Sequence, residues 1–205
     1  SSLPSYGVGA HIRKAFGYLF SARLSYMQGI GKGLNWQRSS NYRNNAAWAD
    51  RYDFRGGDQV FYNYKSVVHD LSLEAILTLN NIRFHKAKSG VNLYALVGIG
   101  GMMYDTHVNA LNDQGNDNYN PFDPSLKYSF NNIPSGTWDT RKQTKDDIRD
   151  LLDDTYETQA ENEAGDRRPK IAGSTFRPVG HIGAGIAFKL NEKFNIAIED
   201  RFTIT

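Results

Sequence analysis

The stretch 174–190, STFRPVGHIGAGIAFKL, decides the fold. Phe176, Pro178, Gly180, Ile182, Ala184, Ile186, Phe188 and Leu190 alternate there with Thr175, Arg177, Val179, His181, Gly183, Gly185, Ala187 and Lys189. A period of two marks a strand, because successive side chains leave a pleated backbone on opposite faces. The first set is apolar, with aromatics toward both ends, and the second is charged or small. A lipid-facing exterior and a narrow polar interior ask for that division in a membrane-spanning barrel strand.

The neighbouring sequence repeats the pattern. After a tight turn at 191–193, the strand 194–205 sets Phe194, Ile196, Ile198, Phe202 and Ile204 against Asn195, Glu199, Arg201, Thr203 and Thr205. Asp200 is the one charge on its apolar face, and a charge facing lipid is penalised according to depth. Ile198, Asp200 and Phe202 therefore form a candidate partner-facing surface. Upstream, Val67, Leu71, Leu73, Ala75, Leu77 and Leu79 oppose Ser66, Asp70, Ser72, Glu74 and Thr78. Tyr18, Phe20, Ala22, Leu24 and Tyr26 oppose Ser21, Arg23 and Ser25, while Tyr6, Val8, Ala10 and Ile12 oppose Gly7, Gly9, His11 and Arg13. The run 91–110 is apolar on both faces, which makes it a strand without fixing its orientation.

Connections alternate in length: 14–17 short, 35–58 long, 82–90 fairly short, 111–173 very long and 191–193 short. Short turns on one side and long loops on the other suit an outer-membrane barrel with its long loops outside the cell. Six strands counted this way leave both ends extracellular, so the expectation is one more strand at each end and eight in all. The expected fold is all-β, an antiparallel transmembrane up-and-down β-barrel formed by residues 1–205 as one domain. Within the longest loop, Ile148, Leu151, Leu152 and Tyr156 recur near helical spacing, predicting a short amphipathic helix.

Bulk properties fit. The 205 residues carry 24 basic and 22 acidic side chains, a formal charge of +2, which gives no reason to expect nucleic acid. Cysteine is absent, so disulfides and thiolate metal sites are excluded. Mean hydropathy is −0.57 and no run of roughly 18 apolar residues occurs, which excludes a transmembrane helix but not a barrel. No basic-then-apolar leader stands at SSLPSYGVG.

FGYLFSARLSYMQGIGKGLNW (16–36), HDLSLEAILTLNNIRFHKAKSGVNLYALVGIGGMMYDT (69–106), GSTFRPVGHIGAGIAFKLNEKFNIAIEDRF (173–202) and the YET at 156–158 together resemble the N-terminal barrel of OmpA-family proteins. The ordered succession of LTLNNI, YALVGIGGM, FRPVGHIGAGIAF and IAIEDR carries the resemblance. It implies an eight-stranded outer-membrane barrel, usually followed by a periplasmic domain that grips peptidoglycan, a domain with no counterpart in these residues. It also implies a lumen blocked by ion pairs, with Glu199 standing where the family's seventh strand carries an inward acid. Glu74 stands where the best-known member has a base, so that member's pairing does not transfer.

Arg23, Glu74, Arg177, His181, Glu199 and Arg201 all fall on the inward sets. Charges enclosed in a narrow barrel are expected to pair, because an unpaired desolvated charge costs several kcal/mol. The reading is a plugged lumen, built as a packed polar core. For catalysis, His69 and Asp70 are adjacent and point to opposite faces, and His181 has no serine two residues away. His107 alone has Asp105 and Asn109 at two residues' spacing. The amide- and acid-rich run 112–123 lacks the regular ligand spacing of a calcium loop and reads as a solvated loop. The glycines of VGIGGM and GHIGAG precede no helix and read as packing space, not as nucleotide loops.

The expectation is thus a structural or anchoring barrel, not an enzyme, without cofactor or metal, whose partners are the outer-membrane bilayer, peptidoglycan through a further domain, and other outer-membrane proteins. Its competitors are a small pore, a soluble lipocalin-like barrel with the apolar face turned inward, and an outer-rim lipid-modifying enzyme.

Overall fold

A computed structural model describes residues 5–53, 55–81, 90–116, 118–160, 169–190 and 194–205. The fold is all-β, antiparallel and up-and-down, of the barrel kind. In chain order the elements are β1 (Tyr6–Ala15), β2 (Phe20–Ser39), helix α1 (Ala46–Ala49), β3 (Val60–Thr78), β4 (Val91–Val108), helix α2 (Arg141–Leu151), β5 (Thr158–Gln159), β6 (Lys170–Ile171), β7 (Ser174–Lys189) and β8 (Asn195–Ile204), with three short 3-10 turns. The six long strands follow one another as β1-β2-β3-β4-β7-β8, while β5 pairs with the end of β4 and β6 with the start of β7. No described helix is long and apolar enough to cross a membrane, which leaves crossing by strands open.

The strands differ from expectation at their ends. β2 runs on to Ser39 and β3 begins at Val60, so the long loop expected at 35–58 spans the shorter 40–59. The glycines of GIGKG hide the period of two in β2, and Phe61 and Asn63 are buried with Val60 in β3, so neither end alternates cleanly. Leu79, expected on the third strand, lies in the 3-10 turn Leu79–Asn81, and Tyr18 lies in the turn before β2. The turns expected at 82–90 and 191–193 fall almost wholly outside the described residues.

Chain contacts group into two compact units, 1–6, 29–67 and 104–168 against 7–28, 68–103 and 169–205. In the second unit the polar set of each central strand is buried and the apolar set exposed. Ser21 and Arg23 of β2, Asp70, Ser72 and Glu74 of β3, and Thr175 and His181 of β7 are buried, whereas Leu24, Leu71, Leu73 and Ile182 are exposed. β4 resolves its ambiguity the same way: Tyr94 and Leu96 turn inward, and Leu93, Val97 and Ile99 turn outward, Ile99 at 73% exposure. Pleating fixes this pattern once one face is chosen. Gly98 and Gly100 stay on the inward side because the neighbouring strand lies against them: a Cβ would come within 2.6 Å of Glu74 Cγ at Gly98 and 2.5 Å of the Leu71 carbonyl at Gly100.

The other unit holds a conventional core. Tyr42, Trp48, Phe61, Leu111, Tyr128, Phe130 and Ile148 pack in one buried cluster, with Tyr52 stacked on Phe130 at 6.4 Å. Its loops are ordered by side chains that bond their own backbone. The Asp53 carboxylate accepts from the N–H of Arg55 and Gly56, Asn120 from Phe122, and Asp123 from Ser125. Residues 112–116 and 118–123 thus run through successive turns, and no described group of three His, Cys, Asp or Glu residues could hold a metal. A short helix occurs in the long loop as expected, but earlier than the spacing placed it: α2 starts at Arg141, buries Ile148 and ends at Leu151, with Leu152 as its cap. Tyr156 is not on it, because the chain turns away through positive φ at Asp154 (62°) and Tyr156 (55°).

Candidate functional site: the inward charge cluster

Period-two alternation places Arg23 on β2, Glu74 on β3, and Glu199 and Arg201 on β8 on one inward face, and the structure brings these four together. Arg23 Nε donates to Glu74 Oε2 at 2.5 Å, while its two terminal nitrogens hold both Glu199 oxygens at 2.8 and 2.7 Å. Arg201 Nη1 donates to Glu74 Oε1 at 2.8 Å. Two cations and two anions therefore close into one balanced network, with Glu74 only 1% exposed. The fork of Arg23 fixes geometry as well as charge, since a guanidinium matches a carboxylate with two parallel donors.

Small residues on the paired strand make room. Register sets Gly185 opposite Glu199 and Gly183 opposite Arg201. A Cβ at Gly185 would meet the Tyr94 ring at 2.4 Å. Tyr94 in turn donates its hydroxyl to Glu199 Oε2 at 2.8 Å, and the Ser72 hydroxyl donates to Glu74 Oε1 at 3.2 Å. Sequence reasoning missed Tyr94 because β4 is apolar on both faces. Its even-numbered spacing from Gly98 and Gly100 was the available signal.

His181 and Arg177 are not in this network. His181, 2% exposed, lies with Nε2 3.3 Å from Asp70 Oδ2 and Nδ1 3.2 Å from the Thr203 hydroxyl, forming a separate buried group. Asp70 stood on the polar set of its strand but was not expected to take part. Arg177 is half-buried on β7 and makes no ion pair among the described residues. Ile198, Asp200 and Phe202 are exposed on the other face of β8, Asp200 opposite Ala184 of β7.

The histidine with the most suggestive spacing gains little from folding. His107 Nδ1 lies 3.6 Å from Asp105 Oδ2, but Asn109 is committed elsewhere. Its backbone N–H donates to Asn63 Oδ1, its carbonyl accepts from Asn63 Nδ2, its side-chain oxygen accepts from Tyr128, and its amide donates to Asp153. Nearby, burial pushes the Glu157 carboxyl above the ordinary glutamate value, against hydrogen bonds from Thr158 and the N–H groups of Ala110 and Leu111 that pull it down.

No family model, curated protein or solved structure matches this chain.

Proposed function

We propose that this chain forms the wall of an integral outer-membrane β-barrel of the OmpA type, a structural and anchoring protein whose lumen is plugged by charge and which catalyses no reaction. One observation carries the reading: apolar residues of β2, β3, β4 and β7 such as Leu24, Leu71, Leu73, Val97, Ile99 and Ile182 face outward unburied while Arg23, Glu74, Glu199 and Arg201 are paired inside. In water such a surface would be a large exposed apolar patch, whereas in a bilayer it is the face that meets the acyl chains. A lipocalin-like carrier needs the opposite orientation, with apolar side chains lining the cavity.

On this reading the network of Arg23, Glu74, Glu199 and Arg201 blocks passage, since about eight strands enclose an interior that side chains can fill. The protein acts by its position: it holds the outer membrane to peptidoglycan through a further domain, or serves as a subunit of an outer-membrane assembly. The exposed face of Ile198, Asp200 and Phe202 is where another outer-membrane protein would cover Asp200.

Fractionation tests the reading. Alkaline carbonate is expected to leave the protein in the membrane pellet and detergent to release it; release by carbonate alone would sink the proposal. Cosedimentation of the full-length gene product with purified peptidoglycan separates the anchoring role from that of an accessory subunit.

A further inference from the structure

The outward sets of β2 and β3 change character along the strands. On β2, exposed Leu24 is followed two residues on by Tyr26 and six further by Lys32; on β3, counting back from exposed Leu71, His69 comes next and then Lys65. Tyr26 and His69 meet, the phenol hydroxyl 2.8 Å from His69 Nδ1. On the membrane reading this pair marks where the apolar band gives way to headgroups, because an amphipathic ring sits with its polar tip at that level. The four residues from His69 to Lys65 rise roughly 9 Å on a tilted strand. Lys65 thus stands at headgroup level on the outward set.

The two lysines share one aromatic ring. Lys32 Nζ lies 4.8 Å and Lys65 Nζ 5.9 Å from the centroid of Tyr156, which is buried. The three residues come from separate stretches of chain, and the backbone is bent to bring the third into place. Asp154 and Tyr156 both take positive φ, 62° and 55°. For a bulky tyrosine that conformation is an outlier, and strain of this kind persists where the surroundings hold it and gathers at ligand clamps.

Charge is left over. The carboxylate paired with Lys32 is that of Asp154 at 3.8 Å, largely exposed and so a weak, screened partner. Lys65 has no carboxylate within ion-pair distance among the described residues. Burial, and after it Asp154, pushes the Tyr156 hydroxyl up to about 12, so the ring between the cations stays neutral. Two ammonium groups against one loosely held carboxylate leave a net positive charge, and its complement is an anion. A phosphate monoester suits two lysines, with more than one negative charge and several oxygens to accept from their ammonium donors.

We propose that Lys32, Lys65 and the turn at Tyr156 bind the phosphate of a membrane lipid headgroup. The inference rests on the membrane reading and gives it a specific lipid contact. The test is native mass spectrometry of the full-length protein in a neutral detergent, with dioleoyl phosphatidic acid as probe and dioleoylglycerol as the phosphate-free control. Expected is one phosphatidic acid molecule retained where dioleoylglycerol is not. Neutralising both lysines, Lys32→Gln with Lys65→Gln, should weaken its binding about tenfold or more. Lys32→Arg with Lys65→Arg should keep it, and Lys142→Gln, which removes an exposed cation from α2, should leave it unchanged. Parent-like binding in the double glutamine variant, or equal loss in the double arginine variant, would overturn the proposal. Displacement of the lipid by inorganic phosphate at equal concentration, or by hexaglutamate, would assign the cations to a free anion or an acidic peptide and overturn it as well. Lysines that prove indifferent in a protein that carbonate leaves in the membrane remove this inference alone. Lysine-dependent binding in a protein that carbonate releases removes the membrane reading and leaves the phosphate site.

Discussion

β2 is built by two opposite rules along its length. Near its start it buries Arg23 and exposes Leu24, and further on it buries Leu34. The unit containing residues 7–28, 68–103 and 169–205 turns charge inward and apolar side chains outward, while the unit of residues 29–67 and 104–168 buries tryptophan, tyrosine and phenylalanine around an ordinary core. The hydrophobic effect removes apolar surface from water wherever water is the solvent. The second arrangement is the response of a chain that meets water, and the first is what the proposed membrane reading expects of a face that meets lipid.

The comparison breaks most visibly if equivalent deletions fail to hurt each unit through its own currency. Glu74→Ala leaves Arg23 and Arg201 facing each other without their shared carboxylate, and a buried pair that loses one member costs about 3–5 kcal/mol. Denaturant unfolding in detergent should register that loss, and an unchanged midpoint would mean the network is not buried in the folded protein. In the other unit, Trp48→Ala empties a fully buried site and should cost about 3–5 kcal/mol. Its effect should appear as faster proteolysis within residues 29–67 and 104–168, while heat stability of the strands changes less.

A smaller effect comes from Gly185→Ala. The added methyl group meets the Tyr94 ring, pushing its hydroxyl off Glu199, and overpacking of this kind costs about 1–3 kcal/mol. Tyr94→Phe in the same background should recover little, and full recovery would show that the ring itself is not in the way.

The smallest effect concerns pH. The folded value of Glu157 lies above its unfolded one, so its contribution to stability is complete below the ordinary glutamate range and is lost as pH rises through the raised value. Glu157→Gln should flatten that decline in the unfolding midpoint between acid and neutral pH. A slope identical to the parent's would assign the pH dependence to another group.

Much of the unit of residues 7–28, 68–103 and 169–205 could be read from residues alone, because a strand with one buried and one outward face imposes a period of two on sequence. The inward placement of Arg23, Glu74, Glu199 and Arg201 follows from counting by twos from Ser21, Ser72 and Thr203. Which of them touch does not follow, since pairing across the face depends on curvature and register that no local pattern records. His181 accordingly pairs with Asp70 and not with the larger network. The folded loops were the least legible part. Tyr42, Trp48, Tyr52, Tyr128 and Phe130 recur with no fixed spacing, and they meet only because turns such as that at Asp53 reverse the chain. The run rich in Asn and Asp is largely exposed, as its solvated-loop reading expected, but the pattern did not show that its side chains bond their own backbone.

The orientation of the two faces is the central claim, and nitroxide labels placed singly at positions 71, 73, 97, 99 and 182 test it most directly in the protein reconstituted into lipid vesicles. The account predicts that dissolved oxygen, which partitions into the bilayer, relaxes all five labels while a water-soluble nickel chelate does not, with labels at 72 and 179 reporting neither. Strong relaxation of the five by the nickel chelate would place the apolar face in water and contradict it.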